Sequence, residues 1–328
     1  MQIINEKEMW DAITLTEVMD AIEDAYEIHR QGNYLMPERF VAAKDKNLML
    51  YMPCFLDRII GTKMLAEFPD NPQKGLPYLN GLMILNNTET GLPEAVMNGS
   101  TLTALRTGAV GGVALRYLAP EGCHSAGLMG CGMQGLHQLL YACAVRPITD
   151  LYLFDEFVKD LKPFIERLTA KLEMTGSKGV KIHACPDVST MIENSQILIS
   201  ATQAADPVYP DDEELLRGKC FVAIGSWRPE RRELPDAVWK LVQNVYTELP
   251  YACEETGDLC IPLKSGVLTS ERVHYMEDLI RDTKEGRPHS HAETRCFKSV
   301  GMGIFDARVA QLIYENALKK GIGQNIEW

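Results

Sequence analysis

The fold of this chain is most clearly indicated by the stretch Ser125-Ala-Gly-Leu-Met-Gly-Cys-Gly-Met-Gln-Gly135. Its first part, Ser125 to Met129, is a short apolar run that predicts a buried strand. The residues from Met133 to Val145 are predicted to form a helix. The glycines at positions 130, 132 and 135 have the spacing GxGxxG, so the sequence predicts a strand, a tight turn and a helix in that order.

This glycine-rich turn predicts a binding site for a dinucleotide cofactor. Gly130 permits the tight turn, Gly132 lets the backbone approach a pyrophosphate, and Gly135 lets the helix pack against the strand. The N-terminus of the helix then faces the phosphates, whose negative charge it favours. A plain strand-to-helix turn with incidental glycines is the alternative, and the order of strand, turn and helix favours the cofactor site.

Asp155 follows the second predicted strand, Leu151 to Phe154, and lies 20 residues after Gly135. A carboxylate at this position accepts hydrogen bonds from the ribose hydroxyls of adenosine. Because it would repel a 2′-phosphate, Asp155 favours NAD over NADP. Asp155 also precedes a helix predicted from Phe157 to Leu172, so it is a candidate N-cap, and both roles are compatible.

Strands and helices alternate from about residue 124 onward. Further strands are predicted at Val180–Ala184, Ile197–Ser200, Cys220–Ile224 and Asn244–Thr247. This alternation predicts an α/β fold of the Rossmann type, in which a doubly wound parallel sheet carries helices on both faces.

The N-terminal part of the chain has a different pattern. An amphipathic helix is predicted from Thr14 to His29, with Thr16 as its N-cap. From Arg39 to Met97, short apolar runs are separated by Pro, Gly, Asn and Asp clusters, which is typical of strands and turns. Two further helices are predicted at Thr101–Leu118 and Phe305–Lys320.

The composition of the chain argues against some classes of binding partner. A length of 328 residues suggests about two domains. The formal net charge of −12 would repel nucleic-acid phosphates and anionic lipid, so we expect no nucleic acid and no membrane surface as partner. No apolar run approaches the roughly 18 residues that span a bilayer. The partner we expect is a small molecule.

The cysteines indicate the compartment. There are nine, scattered along the chain and without a CxxC pair, which argues against a disulfide framework. The start of the sequence is polar and lacks the pattern of a signal peptide. We therefore expect reduced thiols and a cytoplasmic protein.

Two cations stand in apolar surroundings. Arg106 lies inside the small-residue helix with no acidic residue within one turn, so its burial would need an anionic partner. A substrate carboxylate and a distant Asp or Glu are equally good candidates. On strand alternation, Lys63 shares a face with Ile59, Gly61 and Leu65. It lies either at a solvent edge, which is the more ordinary case, or in a pocket.

Two clusters of charged or metal-binding residue types each allow more than one interpretation. The first is a basic patch of Arg228, Arg231 and Arg232. It could bind a phosphorylated or dicarboxylic substrate or the cofactor pyrophosphate, or be a solvated loop with local Glu pairs. The second consists of His289, His291 and Glu293. We expect no metal there because a clear fourth ligand is lacking.

Taken together, the motifs resemble those of the ornithine cyclodeaminase/mu-crystallin family. The matching stretches are Met36-Pro-Glu-Arg39, Tyr51-Met-Pro53, Gly61-Thr-Lys63, Leu102-Thr-Ala-Leu-Arg-Thr107, Gly130-Cys-Gly-Met-Gln134, Gly225-Ser226 with Arg232-Glu-Leu234, and Phe297-Lys-Ser-Val-Gly301. They occur in the family's order over nearly the whole chain. The resemblance implies an α+β substrate-binding and dimerisation domain at residues 1–115 plus about 301–328. Residues 116–300 would form the NAD-binding domain of a homodimer.

The resemblance also implies roles for individual residues. Arg39, Lys63 and Arg106 match positions that hold the substrate α-carboxylate, and Val300 matches a position beside the substrate. Lys63 is also the candidate catalytic group, because a partly desolvated lysine can supply charge stabilisation or a proton. The implied cofactor contacts are Thr107, Gly130, Gly132, Met133, Gln134, Gly135, Asp155, Thr202, Ser226, Arg231 and Ser299.

Two departures from the family's pattern bear on the reaction. Trp227 stands where the cyclodeaminases carry a catalytic Asp, and Leu50 where they carry a Glu for the substrate's distal amine. Glu230 and Glu233 are the candidates to replace the Asp. We therefore expect hydride transfer between NAD(H) and the α-carbon of a small α-imino or α-amino acid. Ornithine cyclodeamination and non-catalytic binding of NAD and a small ligand are the alternatives.

Overall fold

The structure is a computed structural model that describes residues 1–287 and 293–327, and in it the chain divides into two units. Met1–Arg106 and Met302–Trp328 form the first unit, and Thr107–Gly301 the second. Within the described residues, no helix is long and apolar enough to cross a membrane.

Two helices and a set of strands form the beginning of the chain. In order they are β1 (Gln2–Ile4), α1 (Glu6–Ala12), α2 (Leu15–Gln31), β2 (Phe40–Lys44), β3 (Asn47–Phe55), β4 (Ile59–Glu67), β5 (Leu79–Asn87), β6 (Pro93–Asn98) and α3 (Gly99–Leu118). The N-cap of α2 is Thr14 and not Thr16. Thr14 Oγ1 accepts from the Glu17 N–H, and the Glu17 carboxylate accepts from the Thr14 N–H, which is a capping box.

Short strands and helices alternate in the middle of the chain. They are β7 (Ser125–Met129), α4 (Met133–Val145), β8 (Asp150–Phe154), α5 (Lys162–Met174), β9 (Lys181–Ala184), α6 (Val188–Glu193), β10 (Ile197–Ser200), α7 (Glu213–Leu216), β11 (Cys220–Ala223), α8 (Asp236–Leu241), β12 (Val245–Thr247), α9 (Ala252–Glu255), α10 (Gly257–Ser265), β13 (Val273–Tyr275), α11 (Met276–Lys284) and β14 (Arg295–Lys298). The last elements are α12 (Gly303–Lys320) and β15 (Gln324–Asn325).

The sheet of the second unit is parallel. Its strand order is β13-β12-β14-β11-β10-β7-β8-β9, and every neighbouring pair runs in the same direction. The chain moves outward from β7 to β9 and then returns to β10 on the other side of β7. This reversal is the topological switch point at which ligands bind in doubly wound sheets. The predicted Rossmann-type fold is confirmed.

The sheet of the first unit is mostly antiparallel, with the order β15-β1-β6-β5-β4-β3-β2. Alternate residues of β4 are buried, from Ile59 through Gly61 and Lys63 to Glu67. Helix α12 packs on this buried face. The packing is tight at Gly61, where an added Cβ would lie 2.8 Å from the Cβ of Ala307. The first turn of α12 is thereby held against the middle of β4.

Candidate active site

The buried face of β4 carries a lysine that is almost fully enclosed. Lys63 is 1% exposed, so the predicted location at a solvent edge is wrong. Its Nζ donates a hydrogen bond of 2.7 Å to Oδ2 of Asp306, which lies in the first turn of α12 and is also 1% exposed. Burying an ammonium without such a carboxylate would be strongly unfavourable.

The same carboxylate serves a second cation. Nε of Arg106, on α3, lies 3.0 Å from Oδ1 of Asp306, an ion-pair contact that lacks hydrogen-bond geometry. The distant acidic partner considered for Arg106 therefore exists. Because one carboxylate is shared by two cations, a substrate carboxylate remains compatible with Arg106. Asp306 was not among the residues predicted from the sequence, because its burial results from the packing of α12 on the sheet.

The pKa of Lys63 is displaced into the physiological range. Burial lowers the pKa of Lys63 to about 7, although the charge of Asp306 and its hydrogen bond oppose the shift. The positive charges of Arg106 and Arg39 lower it further. Arg39, half-buried just before β2, therefore lies within electrostatic reach of Lys63. The structure thus brings together Arg39, Lys63 and Arg106 within the first unit.

The surroundings of Lys63 on β3 are apolar. Met52 is paired with Lys63 across the two strands, and Leu50 is paired with Leu65. Leu50 is 4% exposed and Met52 8%, so both side chains belong to the buried face of the sheet. The position that would recognise a distal amine in a cyclodeaminase is thus occupied by an enclosed aliphatic group.

In the second unit, the glycine-rich turn has the geometry that its sequence predicts. Gly130 has φ +96°, and a Cβ there would lie 2.7 Å from the carbonyl oxygen of Ala201. A Cβ at Gly135 would lie 2.3 Å from the carbonyl oxygen of Gly130, so helix and turn are in close contact. A Cβ at Gly132 would meet no described atom within 4 Å, which leaves space in front of the backbone.

Asp155 is bound to this turn. Its Oδ2 accepts from the Cys131 N–H at 2.8 Å, and its Oδ1 accepts from the N–H groups of Phe157 and Val158. These last two bonds form a turn, and α5 begins only at Lys162, so the predicted N-cap role of Asp155 is wrong. A carboxylate has about four acceptor sites, and the three in use leave capacity for a ribose hydroxyl.

Several polar groups beside the turn have no protein partner among the described residues. Among the described residues, no side chain caps the N-terminus of α4, so the first N–H groups of this helix can bind a phosphate. Thr107 Oγ1 and Gln134 Oε1 are buried and make no hydrogen bond to described residues. Met133, also a predicted contact, is 60% exposed. Together with Asp155, these features fit a bound NAD.

Three more of the predicted cofactor residues are linked to one buried glutamate by hydrogen bonds. Glu233 is 0% exposed, and its carboxylate accepts from the N–H groups of Thr202 and Ser226 at 2.7 and 3.3 Å. Ser226 Oγ donates to the carbonyl oxygen of Arg231. Glu233 also accepts from the Gly225 N–H, so its oxygens are engaged in holding these loops. This engagement disfavours Glu233 as the replacement for the missing Asp.

The basic patch and Trp227 form local contacts. The Arg228 guanidinium lies 4.7 Å from the ring centroid of Trp227. Arg231 donates to the carbonyl oxygen of Gln203, and Arg232 forms an ion pair of 2.8 Å with Asp236. Both arginines thus have local partners, but these are a carbonyl oxygen and an aspartate and not the predicted glutamates.

Other predicted residues lie in or near a short segment after β14. Ser299 and Val300 are 3% and 8% exposed and directly follow this strand. The possible metal ligands His289 and His291 lie outside the described residues. Among the described residues, no group of three or more His, Cys, Asp or Glu side chains is arranged to hold a metal.

The second unit thus defines an NAD-binding α/β protein, and the first adds a buried cationic cluster suited to an anion. A model of the ornithine cyclodeaminase/mu-crystallin family matches residues 2–321. The chain belongs to this family, and the predicted family is confirmed.

The chain is also similar to individual enzymes of known class. The chain is 32% identical to an alanine dehydrogenase of Archaeoglobus fulgidus, over 99% of this chain and 98% of the relative. It is 33% identical to the Δ1-pyrroline-2-carboxylate reductase of Thermococcus litoralis, solved with NADH and L-proline, with a TM-score of 0.88 and coverage of 99% and 100%. An archaeal alanine dehydrogenase dimer with bound NAD is 31% identical, with a TM-score of 0.86 and coverage of 100% and 99%.

Proposed function

We propose that this protein is an NAD(H)-dependent oxidoreductase that transfers hydride at the α-carbon of a small α-imino or α-amino acid. Membership of the family and the NAD-bound relatives support the enzyme class and the cofactor. One relative is an alanine dehydrogenase and another was solved with L-proline, and both alanine and proline are small α-amino acids. The observation that carries the proposal for this chain is the buried cluster of Lys63, Asp306 and Arg106.

The cluster is suited to the carboxylate of such a substrate. Two buried cations share one carboxylate, so the pair retains an excess of positive charge that a second anion would balance. An arginine and a lysine can also donate charge-assisted hydrogen bonds to carboxylate oxygens. We assign Arg106 and Lys63, with Arg39 in electrostatic reach of Lys63, to the binding of the α-carboxylate.

Lys63 is also suited to proton transfer. Because its pKa lies at about 7, both its ammonium and amine forms are populated near neutral pH. In the reductive direction the ammonium donates a proton to the nitrogen of the substrate's C=N group. In the oxidative direction the neutral amine accepts the proton that the substrate amine loses. The nicotinamide of a bound cofactor would supply the hydride to the α-carbon in reduction and take it up in oxidation.

Two substituted positions favour this reaction over cyclodeamination. Leu50 cannot bind a distal ammonium, and Trp227 cannot act as an acid or base. Reduction of an imine carbon requires only that the substrate carboxylate is held and a proton is available. A redox-neutral cyclodeamination of ornithine would also need groups that manage the leaving ammonia. The cyclodeaminase remains the second candidate only through family membership.

The roles of the units and the assembly belong to the same proposal. We assign the substrate to the first unit and NAD to the second, with Gly130, Asp155, Thr107 and Gln134 among the cofactor contacts. The dimer of the archaeal alanine dehydrogenase supports a homodimer here. The nine cysteines are free, which supports a cytoplasmic location.

The proposal is tested by following NADH absorbance with a panel of imino acids. The panel contains Δ1-pyrroline-2-carboxylate, Δ1-piperideine-2-carboxylate, and pyruvate or glyoxylate with ammonia or methylamine. We expect steady loss of NADH with at least one member, and a much slower reaction with NADPH. Lys63→Met should bind NADH normally and reduce the same substrate at a rate lower by about 10²–10⁴-fold.

Two results would overturn the proposal. No NADH loss across the panel, together with proline formation from L-ornithine, would establish cyclodeamination. No turnover in either assay, with NADH still bound, would leave a binding protein. Full activity of Lys63→Met would remove the proton-transfer role of Lys63 alone.

A further inference from the structure

The second unit contains two buried glutamates in the same tripeptide, Glu-Leu-Pro, at 233–235 and 248–250. Both side chains are 0% exposed. The carboxylate of Glu233 holds the loops of Thr202 and Ser226, as described above. Glu248 directly follows β12, and its carboxylate holds a different segment of the chain. No role in the proposed reaction has been assigned to Glu248.

Glu248 holds three consecutive residues after the neighbouring strand β14. Its Oε2 accepts from the Val300 N–H at 3.1 Å, and its Oε1 accepts from the Gly301 N–H at 3.3 Å. Ser299 Oγ donates to Oε1 as well. Because β12 and β14 are adjacent and parallel, their carboxyl ends lie side by side, and Glu248 joins one end to the other.

The charge of Glu248 is balanced differently from that of Glu233. Glu233 lies 3.7 Å from Nζ of Lys298, which also lies 2.9 Å from Asp258. No ion pair joins Glu248 to any described residue. Burial raises the pKa of Glu248, and the hydrogen bonds from Ser299, Val300 and Gly301 oppose this shift. The carboxylate is therefore stabilised by the segment that it holds.

We propose that Glu248 is a positioning residue that fixes the segment 299–301 in the conformation needed for hydride transfer. The proposal rests on the proposed function, in which the second unit binds NAD, and on the family resemblance, which implies that Ser299 contacts this cofactor. Glu248 acts through this segment and does not touch the reacting atoms. A misplacement of about 1 Å in such a segment can lower a rate by about 10²-fold without removing the ligand.

The test compares Glu248→Gln with the wild type and with Glu271→Gln, an exposed glutamate that serves as the matched control. Glutamine keeps the size of the side chain but turns an NH₂ group toward one of the N–H or O–H donors. We expect kcat for the imino-acid substrate to fall by about 10²-fold, and the Kd for NADH, from NADH fluorescence, to stay within about threefold. Glu271→Gln should match the wild type in both.

Hydrogen–deuterium exchange of the peptide spanning residues 295–301 gives a readout that needs no substrate. We expect faster exchange of the Val300 and Gly301 amides in Glu248→Gln, by about tenfold or more, with unchanged exchange in β7 and α4. Unchanged exchange would overturn the proposal. If the wild type reduces none of the imino acids, the proposed function fails, while the exchange result still reports on Glu248 and its segment.

A double-mutant cycle distinguishes positioning from general destabilisation. Ser299→Ala removes the Oγ donor, so its effect on kcat should be smaller in the Glu248→Gln background than in the wild type. Additive effects on kcat, or a parallel loss of NADH binding and thermal stability in Glu248→Gln, would contradict a positioning role. If Glu248→Gln does not fold, the positioning role is tested by comparing Ser299→Ala with Ser299→Thr, because threonine retains a hydroxyl that donates to Glu248. Equal exchange and kcat in these two variants would then overturn the proposal.

Discussion

The two units use buried carboxylates in opposite ways. In the first unit, Asp306 faces side-chain cations, Lys63 and Arg106, which share its two oxygens. In the second unit, Glu233 and Glu248 chiefly accept hydrogen bonds from backbone N–H groups of loops. The first arrangement leaves positive charge unsatisfied, whereas the second is already satisfied by the chain itself.

This difference explains which unit depends on its ligand for charge balance. A carboxylate substrate would complete the cluster around Lys63, so anion binding should stabilise the first unit. The loops of the second unit are fixed before the cofactor arrives, so NAD can be held by backbone N–H groups and small hydroxyls on a preformed surface.

The largest effect concerns the proton held by Lys63. With a pKa of about 7, its ammonium form is lost as the pH rises through neutrality. The groups that face it are Asp306 on α12, Arg106 on α3 and Arg39. We therefore expect kcat for imine reduction to fall, and kcat for amino-acid oxidation to rise, as the pH increases from about 6 to 8.

Lys63→Arg provides the matched variant, because a guanidinium keeps its proton throughout this range. It should lose oxidation by about 10²-fold or more and show no inflection near pH 7 in either direction. NADH binding, measured by fluorescence, should remain at the wild-type level. An unchanged pH profile in Lys63→Arg would assign the inflection to another group.

The second prediction concerns the stability of the first unit. Asp306→Asn leaves Lys63 and Arg106 as buried cations without their shared partner, and should lower the free energy of unfolding by about 3–5 kcal/mol. Glu233→Gln should cost less, because Lys298 retains Asp258 as its partner. Urea denaturation monitored by circular dichroism measures both.

An exposed pair supplies the control for Asp306→Asn. Asp24 forms an ion pair with Arg308 and its side chain is 59% exposed, so Asp24→Asn should cost at most about 1 kcal/mol. If Asp24→Asn and Asp306→Asn lowered the free energy of unfolding equally, the importance that we assign to the buried cluster would be contradicted. A larger loss in Glu233→Gln than in Asp306→Asn would reverse the contrast between the units.

The third prediction concerns the preformed surface of the second unit. Gly130→Ala would place a Cβ 2.7 Å from the Ala201 carbonyl oxygen at φ +96°, so the turn must shift. The strain should be about 1–3 kcal/mol and should weaken NADH binding by roughly 10–100-fold. Fluorescence titration measures the Kd, and Gly122→Ala, whose Cβ would meet no described atom within 4 Å, should bind normally.

Local sequence predicted the elements around the cofactor turn to the residue. Ser125–Met129 and Met133–Val145 have the predicted bounds, because Gly130 ends the apolar run and Gly132 directly precedes the helix. The start of α5 was wrong by five residues, since Asp155 binds the N–H groups of Phe157 and Val158 and delays the helix. That turn depends on side-chain geometry and not on hydrophobic periodicity.

The candidate site was only partly predictable. Lys63 and Arg106 stand out as cations among apolar residues, but their partner Asp306 is 243 residues from Lys63 in the chain. Glu248 and its segment are separated by more than fifty residues. Nothing in the local pattern distinguishes these carboxylates from the many that are exposed, because their burial is decided by the packing of distant elements.

The smallest expected effect concerns cofactor choice. Asp155→Asn removes the negative charge and keeps one oxygen that can accept from the Cys131 N–H, so the glycine-rich turn should keep its conformation, while the bonds from the N–H groups of Phe157 and Val158 are lost. Without the charge, repulsion of a 2′-phosphate is reduced, and the preference for NADH over NADPH in kcat/KM should fall by about tenfold. Parallel assays with both cofactors measure the ratio. If the preference is unchanged while NADH binding is intact, the 2′-phosphate is rejected by shape, and Asp155 serves only the turn.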